Sequence, residues 1–552
     1  MPFKVLTPSL SVSPQLTEAD VAQAARDGFR AIIDNRPDGE EPGQPTAAEM
    51  KALAAAQGLG FAHVPTVGGK ITDEDVALMA HALADLEGPV LAYCRTGTRS
   101  TTLWALTRAG TEPADTLIAT AAGAGYDLTG LRPRLETRMT APTGARPERA
   151  DVVIVGGGSA GLATAASLLE RDRDLDVVVI EPRDTHDYQP GWTMVGGGVF
   201  DVKDTRRAEA TVIPAGARWI RAAVAAFMPD RDEVVLEDGS TVGYRALVVA
   251  PGNTLDWAAI DGLPETLGQN GVTSNYRYET APYTWELVQK LRGGTALFTQ
   301  PPMPIKCAGA PQKAMYLSCD HWLRTGVLKD IDVRFHNAGA VLFGVKEFVP
   351  PLMDYVGRYG IDLQFESTLI AVDGPGRTAT FRETAGEVTR AFDMIHVTPP
   401  QKAPPFVARS PLANEAGYVD VDPASLQHVR HANVFGLGDG GSTPNAKTMA
   451  AARKQAPVVA ENLLSVLAGK PPTAVYDGYG SCPLTVERGK ILLAEFGYGG
   501  KLLPSFPSWI IEGTKPQRLS WLLKSEALPW IYWNCMLKGH EWMAHPGQRD
   551  AA

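Results

Sequence analysis

Residues 151–181 read DVVIVGGGSAGLATAASLLERDRDLDVVVIE, and this stretch decides the fold. The apolar run VVIV enters a glycine turn, Gly156-x-Gly158-x-x-Gly161. The turn opens straight into LATAASLL, whose apolar spacing is helical, and a second apolar run ends at Glu181. Strand, glycine turn, helix, strand and an acidic residue about 20 positions on form the dinucleotide-binding fingerprint. Gly156, Gly158 and Gly161 let the backbone approach a pyrophosphate, Ser159 and Ala160 open the helix whose N-terminus faces that charge, and Glu181 is placed to accept from a ribose. The fingerprint by itself does not separate FAD from NAD.

Later segments do. ALVVAPGN at 246–253, with Ala250 and Gly252, and NVFGLGD at 433–439, with Gly438 and Asp439, resemble the return strands of two-dinucleotide flavoproteins. In that resemblance Asp439 bonds the ribityl chain. The helix at 446–464, starting with Lys447 and Thr448, aims its N-terminus at the flavin. FAD is the expected cofactor. Between these segments lies a second α/β unit whose first strand, TALFTQ, runs into PPMPIKCAGAPQK. Prolines stand where NADH-using relatives carry a second glycine turn, so no NAD(P)H binding is expected. The same loop carries Cys307, preceded by Lys306 and followed by Lys313, and two nearby cations favour its thiolate.

Several segments are similar to the mitochondrial-type branch of the sulfide:quinone oxidoreductases, within the FAD-dependent pyridine-nucleotide-disulfide-oxidoreductase-like enzymes. They are IKCAGAPQKAMYLS, VTPPQKAPPFVARSPLANEAGYVDVD, NVFGLGD, YDGYGSCPLT, ILLAEFGY and, with Gln189 and Pro190, HDYQPGWTMVGGG at 186–198. The likeness runs from about 151 to 539. It implies capture of sulfide by a cysteine pair beside the flavin, a thiolate adduct with the ring, and reoxidation by quinone from the membrane side. Cys307 matches the cysteine that attacks the flavin. The family's second cysteine directly follows the late motif's Asp, and here that residue is Gly440. Three readings are open: Cys319 substitutes; the substrate is already a small persulfide, so that one cysteine suffices; or sulfide oxidation has been lost. The second is preferred.

Residues 1–133 form a separate α/β unit. FRAIIDNR, FAHVPTV and GPVLAYC read as buried strands, and residues 134–150 read as a linker. The loop YCRTGTRS at 93–100 follows a strand and precedes a helix. Loop amides, the helix N-terminus and Arg99 would hold Cys94 as a thiolate, with Arg95 beside it. Cys-Arg-x-Gly-x-Arg resembles the rhodanese-type sulfurtransferase loop and is one residue shorter than the cysteine-phosphatase spacing. IIDNRPDGEEPGQPT at 32–46 instead resembles the dual-specificity-phosphatase-like domain of the beta-lactamase-hydrolase-like family. Sulfur transfer from Cys94 to a thiol or sulfite is preferred, with phosphatase activity as the alternative and Asp38 an unassigned acid.

The expected fold class is therefore α/β throughout: the phosphatase-like domain at 1–133, a two-dinucleotide flavoprotein built from 151–290, 291–400 and 401–475, and a C-terminal segment at 476–552. A net charge of -10 speaks against nucleic acid, and five scattered cysteines give neither a disulfide framework nor a metal site. No leader or membrane-spanning run is read, so a cytoplasmic enzyme is expected. The Leu- and Trp-rich stretch 519–545, divided by Pro529, is expected to lie on a membrane surface and reach quinone, with packing on the protein's own core as the alternative. Homo-oligomerisation is left open. Competing functions are a non-catalytic sulfide or persulfide sensor, which predicts flavin without quinone turnover, and an NADH:quinone oxidoreductase.

Overall fold

The computed structural model describes residues 3–109, 111–138 and 149–548. Most of the expected linker, residues 139–148, lies outside them. The chain divides into two compact units, one of Met1–Arg149 with Ala222–Gly243 and one of Ala150–Arg221 with Tyr244–Ala552.

The first unit holds a five-stranded sheet of β1 (Lys4–Thr7), β2 (Leu10–Ser13), β3 (Ala31–Asp34), β4 (Gly60–His63) and β5 (Val90–Tyr93), in the order β1-β2-β5-β3-β4. All neighbours run parallel except β1 and β2. The three inner strands β2, β5 and β3 are short and buried on both faces, as a parallel sheet under helices requires. Three helices, Glu18–Arg26, Ala47–Ala56 and Asp73–Asp85, begin at Thr17, Thr46 and Thr72, each closing a capping box with an acidic residue three positions on. The hairpin Val224–Met228 and Glu233–Leu236 belongs to this unit: Ala77 packs with Ala225, Ala226 and Val235, and Arg231 pairs with Asp85 at 2.7 Å.

The second unit carries the dinucleotide fold read from residues 151–181. β6 (Arg149–Val155) and β7 (Val177–Ile180) run parallel, flanked by Ala217–Ile220 on one side and by Thr241–Val249 and Val434–Gly436 on the other. The helices Ser159–Arg171 and Met449–Leu467 cover this sheet. The middle α/β layer is a parallel sheet in the order Val272–Thr273, Met394–His396, Gly294–Gln300, Ile331–Asn337, Asp362–Phe365. The helix Ala310–Thr325 packs between that sheet and the hairpin Gly480–Glu487 and Lys490–Phe496, inside one apolar cluster.

The C-terminal stretch is helical from Arg518 to Asn534, with a π turn, Leu523–Ala527, joining Arg518–Leu522 to Leu528–Asn534. Pro529 sits at the start of the last piece, where its missing N–H costs least. Tyr532, Trp533, Met536 and Leu537 are buried in the core of the dinucleotide fold, whereas Leu519, Leu522, Trp530 and Trp542 are exposed. No helix among the described residues is long and apolar enough to cross a membrane.

Candidate active site

The glycine turn is built as the fingerprint requires. Gly156 has φ +106°, and a Cβ there would sit 2.4 Å from the Ala250 carbonyl oxygen; a Cβ on Gly161 would sit 1.9 Å from that of Gly156. These contacts hold the helix close to the sheet. At Gly158 and Gly252 nothing lies within 4 Å of an added Cβ, so the face above the turn is open where a pyrophosphate would lie. Glu181 is buried at the end of β7, accepting from the Gly157 N–H at 2.9 Å and the Arg183 N–H at 3.0 Å. The Ser159 hydroxyl bonds that of Tyr532 at 2.7 Å, and His186 Nε2 meets the same Tyr532 oxygen.

Asp439 follows Gly438, where an added Cβ would lie 2.9 Å from the Ala160 Cβ of the glycine turn. Burial raises its carboxyl above the ordinary range against the pull of Lys447 and Lys306. Lys447 Nζ donates to the carbonyls of Asp439 and Gly441, each at 2.8 Å, so it braces the loop backbone. Thr448 caps the following helix, and Gln455 accepts from the Gly438 N–H at 2.8 Å. The amide oxygen and nitrogen of Asn253, next to Gly252, are buried without a protein partner among the described residues. An open glycine turn, a buried ribose-side carboxylate, Asp439 and an orphaned amide fit a flavin dinucleotide.

Cys307 is bound into the same place. Its N–H donates to the Lys447 carbonyl at 2.7 Å, which sets it beside the helix that starts at Thr448. Its φ is +50°, a left-handed conformation that a non-glycine residue adopts at a cost of about 1–3 kcal/mol. Tyr276 Oη donates to the carbonyls of Lys306 and Cys307 at 3.0 and 3.3 Å and steadies the turn. Lys306 Nζ donates to Gln189 Oε1 at 2.7 Å, and Lys524 Nζ to the Pro190 carbonyl at 3.2 Å, so the loop at 186–198 meets the cysteine loop.

The sulfur of Cys307 has two close neighbours: Lys313 Nζ at 3.2 Å and the sulfur of Cys482 at 3.8 Å. The Cys482 thiol, followed by Lys313 and Lys524, holds Cys307 well below the ordinary thiol range despite burial. Cys482 is pushed up as the donor of that pair, and its burial works in the same direction. Burial drives Lys524 down to about 7, with Lys313 adding to the effect.

Of the two lysines that the sequence sets beside Cys307, one meets its sulfur and one does not. Lys313 contacts the sulfur, Lys306 turns to Gln189, and Lys524 arrives from the Trp-rich segment read as membrane surface. Cys319 is fully buried in mid-helix, and burial followed by Asp320 raises its thiol, so it offers no thiolate. The sulfur that does approach Cys307 is that of Cys482, which none of the three sequence readings used. Its signal in the sequence was its place in YDGYGSCPLT, one of the segments that carry the resemblance.

In the first unit, Cys94 directly follows β5 and is 1% exposed. The Gly97 N–H donates to its sulfur at 3.1 Å, at the start of the helix Thr98–Arg108. Gly97 has φ +89°, and a Cβ there would lie 2.0 Å from the Tyr126 hydroxyl. Arg99 donates to the Asn35 carbonyl at 3.0 Å and pairs with Glu40 at 2.5 Å; Arg95 is exposed and pairs with Glu41 at 2.9 Å. No hydrogen bond among the described residues joins either arginine to Cys94. Asp38 accepts from the Ala47 N–H at 2.7 Å, which makes it a brace for the second helix.

Residues 2–111 match the phosphatase-like domain of beta-lactamase hydrolase-like protein, and residues 150–288 match pyridine nucleotide-disulphide oxidoreductase. Over 97 residues the chain is 41% identical to a beta-lactamase hydrolase-like protein of Agrobacterium fabrum, covering 18% of this chain and 22% of that one. The solved sulfide:quinone oxidoreductase of Aquifex aeolicus, 19% identical, has the same fold over 71% of this chain and 92% of that one, with a TM-score of 0.59. A mitochondrial sulfide:quinone oxidoreductase of Dictyostelium discoideum is 41% identical over 392 residues, 70% of this chain and 86% of its own length. With Cys307, Asp439 and the glycine turn assembled on that fold, the chain belongs to the sulfide:quinone oxidoreductase family and carries a beta-lactamase hydrolase-like, phosphatase-like domain ahead of it.

Proposed function

We propose that this protein is an FAD-dependent enzyme that oxidises sulfide or a small persulfide, passes the electrons to quinone and hands on sulfane sulfur. The observation that carries the reading is the Cys307 sulfur 3.2 Å from a buried ammonium, its own amide bonded to the Lys447 carbonyl just ahead of the helix that follows the late flavin motif. When bound, the flavin supplies a two-electron acceptor. Gly156, Gly158, Gly161, Glu181, Gly252, Asn253 and Asp439 would hold it. Lys313 keeps Cys307 nucleophilic without a separate base. Lys524, with its Nζ on the Pro190 carbonyl and a pKa near neutrality, can hold or release a proton at that atom in the working pH range.

The C-terminal segment supports quinone access from a membrane surface. It buries Tyr532 and Trp533 in the core and turns Leu519, Leu522 and Trp530 outward, an arrangement suited to the headgroup layer. For the first unit the same reading assigns sulfane-sulfur transfer to Cys94, held by the Gly97 amide, with sulfur carried to it by a small thiol. A cysteine phosphatase needs a free arginine for its phosphate, and Arg99 is engaged by Glu40 and Asn35.

The test is anaerobic mixing of the purified full chain with sulfide and, separately, a small persulfide, followed by quinone. Bleaching of the flavin by either donor and its return with quinone are expected, and Cys307→Ser should abolish both. A flavin that neither donor bleaches would end the proposal. Thiosulfate-to-thiol transfer that persists in Cys94→Ser would remove the role given to Cys94.

A further inference from the structure

We infer that Glu40 sets the substrate class of the Cys94 site: its carboxylate takes the place of an oxyanion, so the loop accepts sulfur from a persulfide and turns away thiosulfate, sulfite and phosphate esters. The inference rests on the sulfur-transfer role proposed for Cys94 and names the residue that selects the donor and the acceptor.

The arginines around the loop are engaged from within. Arg99 gives one nitrogen to the Asn35 carbonyl at 3.0 Å and the other to Glu40 at 2.5 Å. The second oxygen of Glu40 accepts from Arg36 Nε at 2.7 Å. Glu41 bridges Arg36 at 3.0 Å and Arg95 at 2.9 Å. Both oxygens of each carboxylate are thus taken up by guanidinium groups. Burial works against a charge on Glu40, but Arg36 and Arg99 outweigh it and hold the carboxyl below the ordinary range, so it is anionic at neutral pH. The segment that carries it is tied at both ends. At its entry the Arg36 N–H donates to Asp34 at 2.9 Å, and the Arg36 carbonyl accepts from His63 at 2.8 Å. At its exit Asp38 accepts from the Ala47 N–H at 2.7 Å, and Gln44 donates to the Pro37 carbonyl at 2.9 Å. Gly68 backs the Arg99 guanidinium, since an added Cβ there would lie 3.4 Å from its nitrogen. Glu40 is therefore a fixed part of the site and not a drifting surface residue.

At the sulfur itself the Gly97 N–H donates at 3.1 Å, where the helix Thr98–Arg108 begins, and Cys94 is buried. One amide and a helix start suit a single negative charge on sulfur. Persulfide transfer asks for no more. The Cys94 thiolate attacks the outer sulfur of a neutral persulfide. A bond forms between Cys94 and that sulfur, the S–S bond of the donor breaks, and the proton passes to the departing sulfur, which leaves as a neutral thiol. The Cys94 persulfide keeps the one negative charge. A second thiol takes the sulfur by the reverse of this step, restoring the Cys94 thiolate. Thiosulfate, by contrast, is a dianion that would leave as a sulfite dianion, and a phosphate ester carries comparable charge. Each needs a free guanidinium, and Glu40 holds the one that follows the cysteine in the loop. The same charge count disfavours sulfite as the acceptor and leaves a thiol.

The test uses the full chain. Alkylation of Cys94 by iodoacetamide is followed on its peptide by mass spectrometry, with and without inorganic sulfate at constant ionic strength. Sulfate should leave the wild-type rate within about twofold and should slow it by at least about tenfold in Glu40→Gln, where the competing charge is gone. In that variant kcat/KM for thiosulfate, divided by kcat/KM for cysteine persulfide, should rise at least about tenfold over the wild type, a ratio in which any general loss of activity cancels. Sulfate that protects wild-type Cys94 as well as it protects the variant, or a donor ratio that does not move, would overturn the inference. If Cys94→Ser still transfers sulfur, the role of Cys94 falls, and the sulfate measurement still decides whether Glu40 closes the site to oxyanions. If Glu40→Gln does not fold, the wild type alone decides: protection by sulfate overturns the inference and its absence supports it.

Discussion

Replacing Lys313 by Met keeps the length of the side chain and removes the charge that touches the Cys307 sulfur. At 3.2 Å a unit charge pair interacts with about 5 kcal/mol at an effective dielectric constant of about 20. That is about three to four pH units in the titration of a thiol. Two groups remain to support the thiolate, the Cys482 thiol and Lys524, and the site will relax. The net expectation is an upward move of about two pH units, and so about 100-fold less thiolate at a pH below both midpoints. The assay is the rate of Cys307 alkylation by iodoacetamide across pH 5–10, read on its peptide by mass spectrometry in the full chain. Sulfide-dependent flavin reduction at pH 7 should fall with the thiolate fraction. A midpoint that stays within half a unit of the wild type, or that falls, would refute the assignment of Lys313 as the cation that activates this sulfur.

Lys524→Met should stabilise the second unit at neutral pH. A buried lysine held down to about 7 binds fewer protons folded than unfolded, so stability rises with pH between that value and the ordinary lysine value of about 10.4; the gain in the variant should be greatest below pH 7 and fade above pH 10 in chemical denaturation. Gly97→Ala forces a Cβ onto the Tyr126 hydroxyl at a positive φ, so unfolding of the first unit should be eased by at least about 1–3 kcal/mol and sulfur transfer lost together. Tyr126→Phe should not rescue it, since ring carbon Cζ is itself 2.8 Å from the added methyl. Trp530→Ser, at a 61% exposed position, should reduce co-sedimentation with phospholipid vesicles and raise the apparent KM for a long-chain quinone, with sulfide-driven flavin reduction unchanged.

The dinucleotide unit was legible because its signals are local. A turn that must pass Gly156 against Ala250, and a helix that must start within a bond length of contact at Gly161, admit few residues, and the sequence displays them in one uninterrupted run. The order of the late motifs was legible for the same reason. The cysteine pair was not. Cys482 lay inside one of the resemblance segments but far along the chain, and it is the packing of the helix Ala310–Thr325 against the hairpin Gly480–Glu487 and Lys490–Phe496 that brings its sulfur, and not that of Cys319, to Cys307. Lys524 was read as part of an amphipathic surface, and it is 3% exposed, set in the π turn Leu523–Ala527 with its ammonium on the distant Pro190 carbonyl. Arg99 was read as the anion ligand of the Cys94 loop; the acidic stretch around Glu40, distant in sequence, claims it. In each case a local pattern named the residue's chemistry, and a long-range contact chose its partner.

The hydroxyl of Tyr532 has a consequence for anyone reworking this protein. It touches Ser159 on the glycine turn and His186 on the neighbouring loop, so the tail that would meet the lipid also forms a wall of the dinucleotide cleft. Trimming the chain ahead of Tyr532 to obtain a better-behaved preparation should therefore yield colourless protein, and the tail is better kept whole, with solubility sought at Trp509 or Trp530 instead.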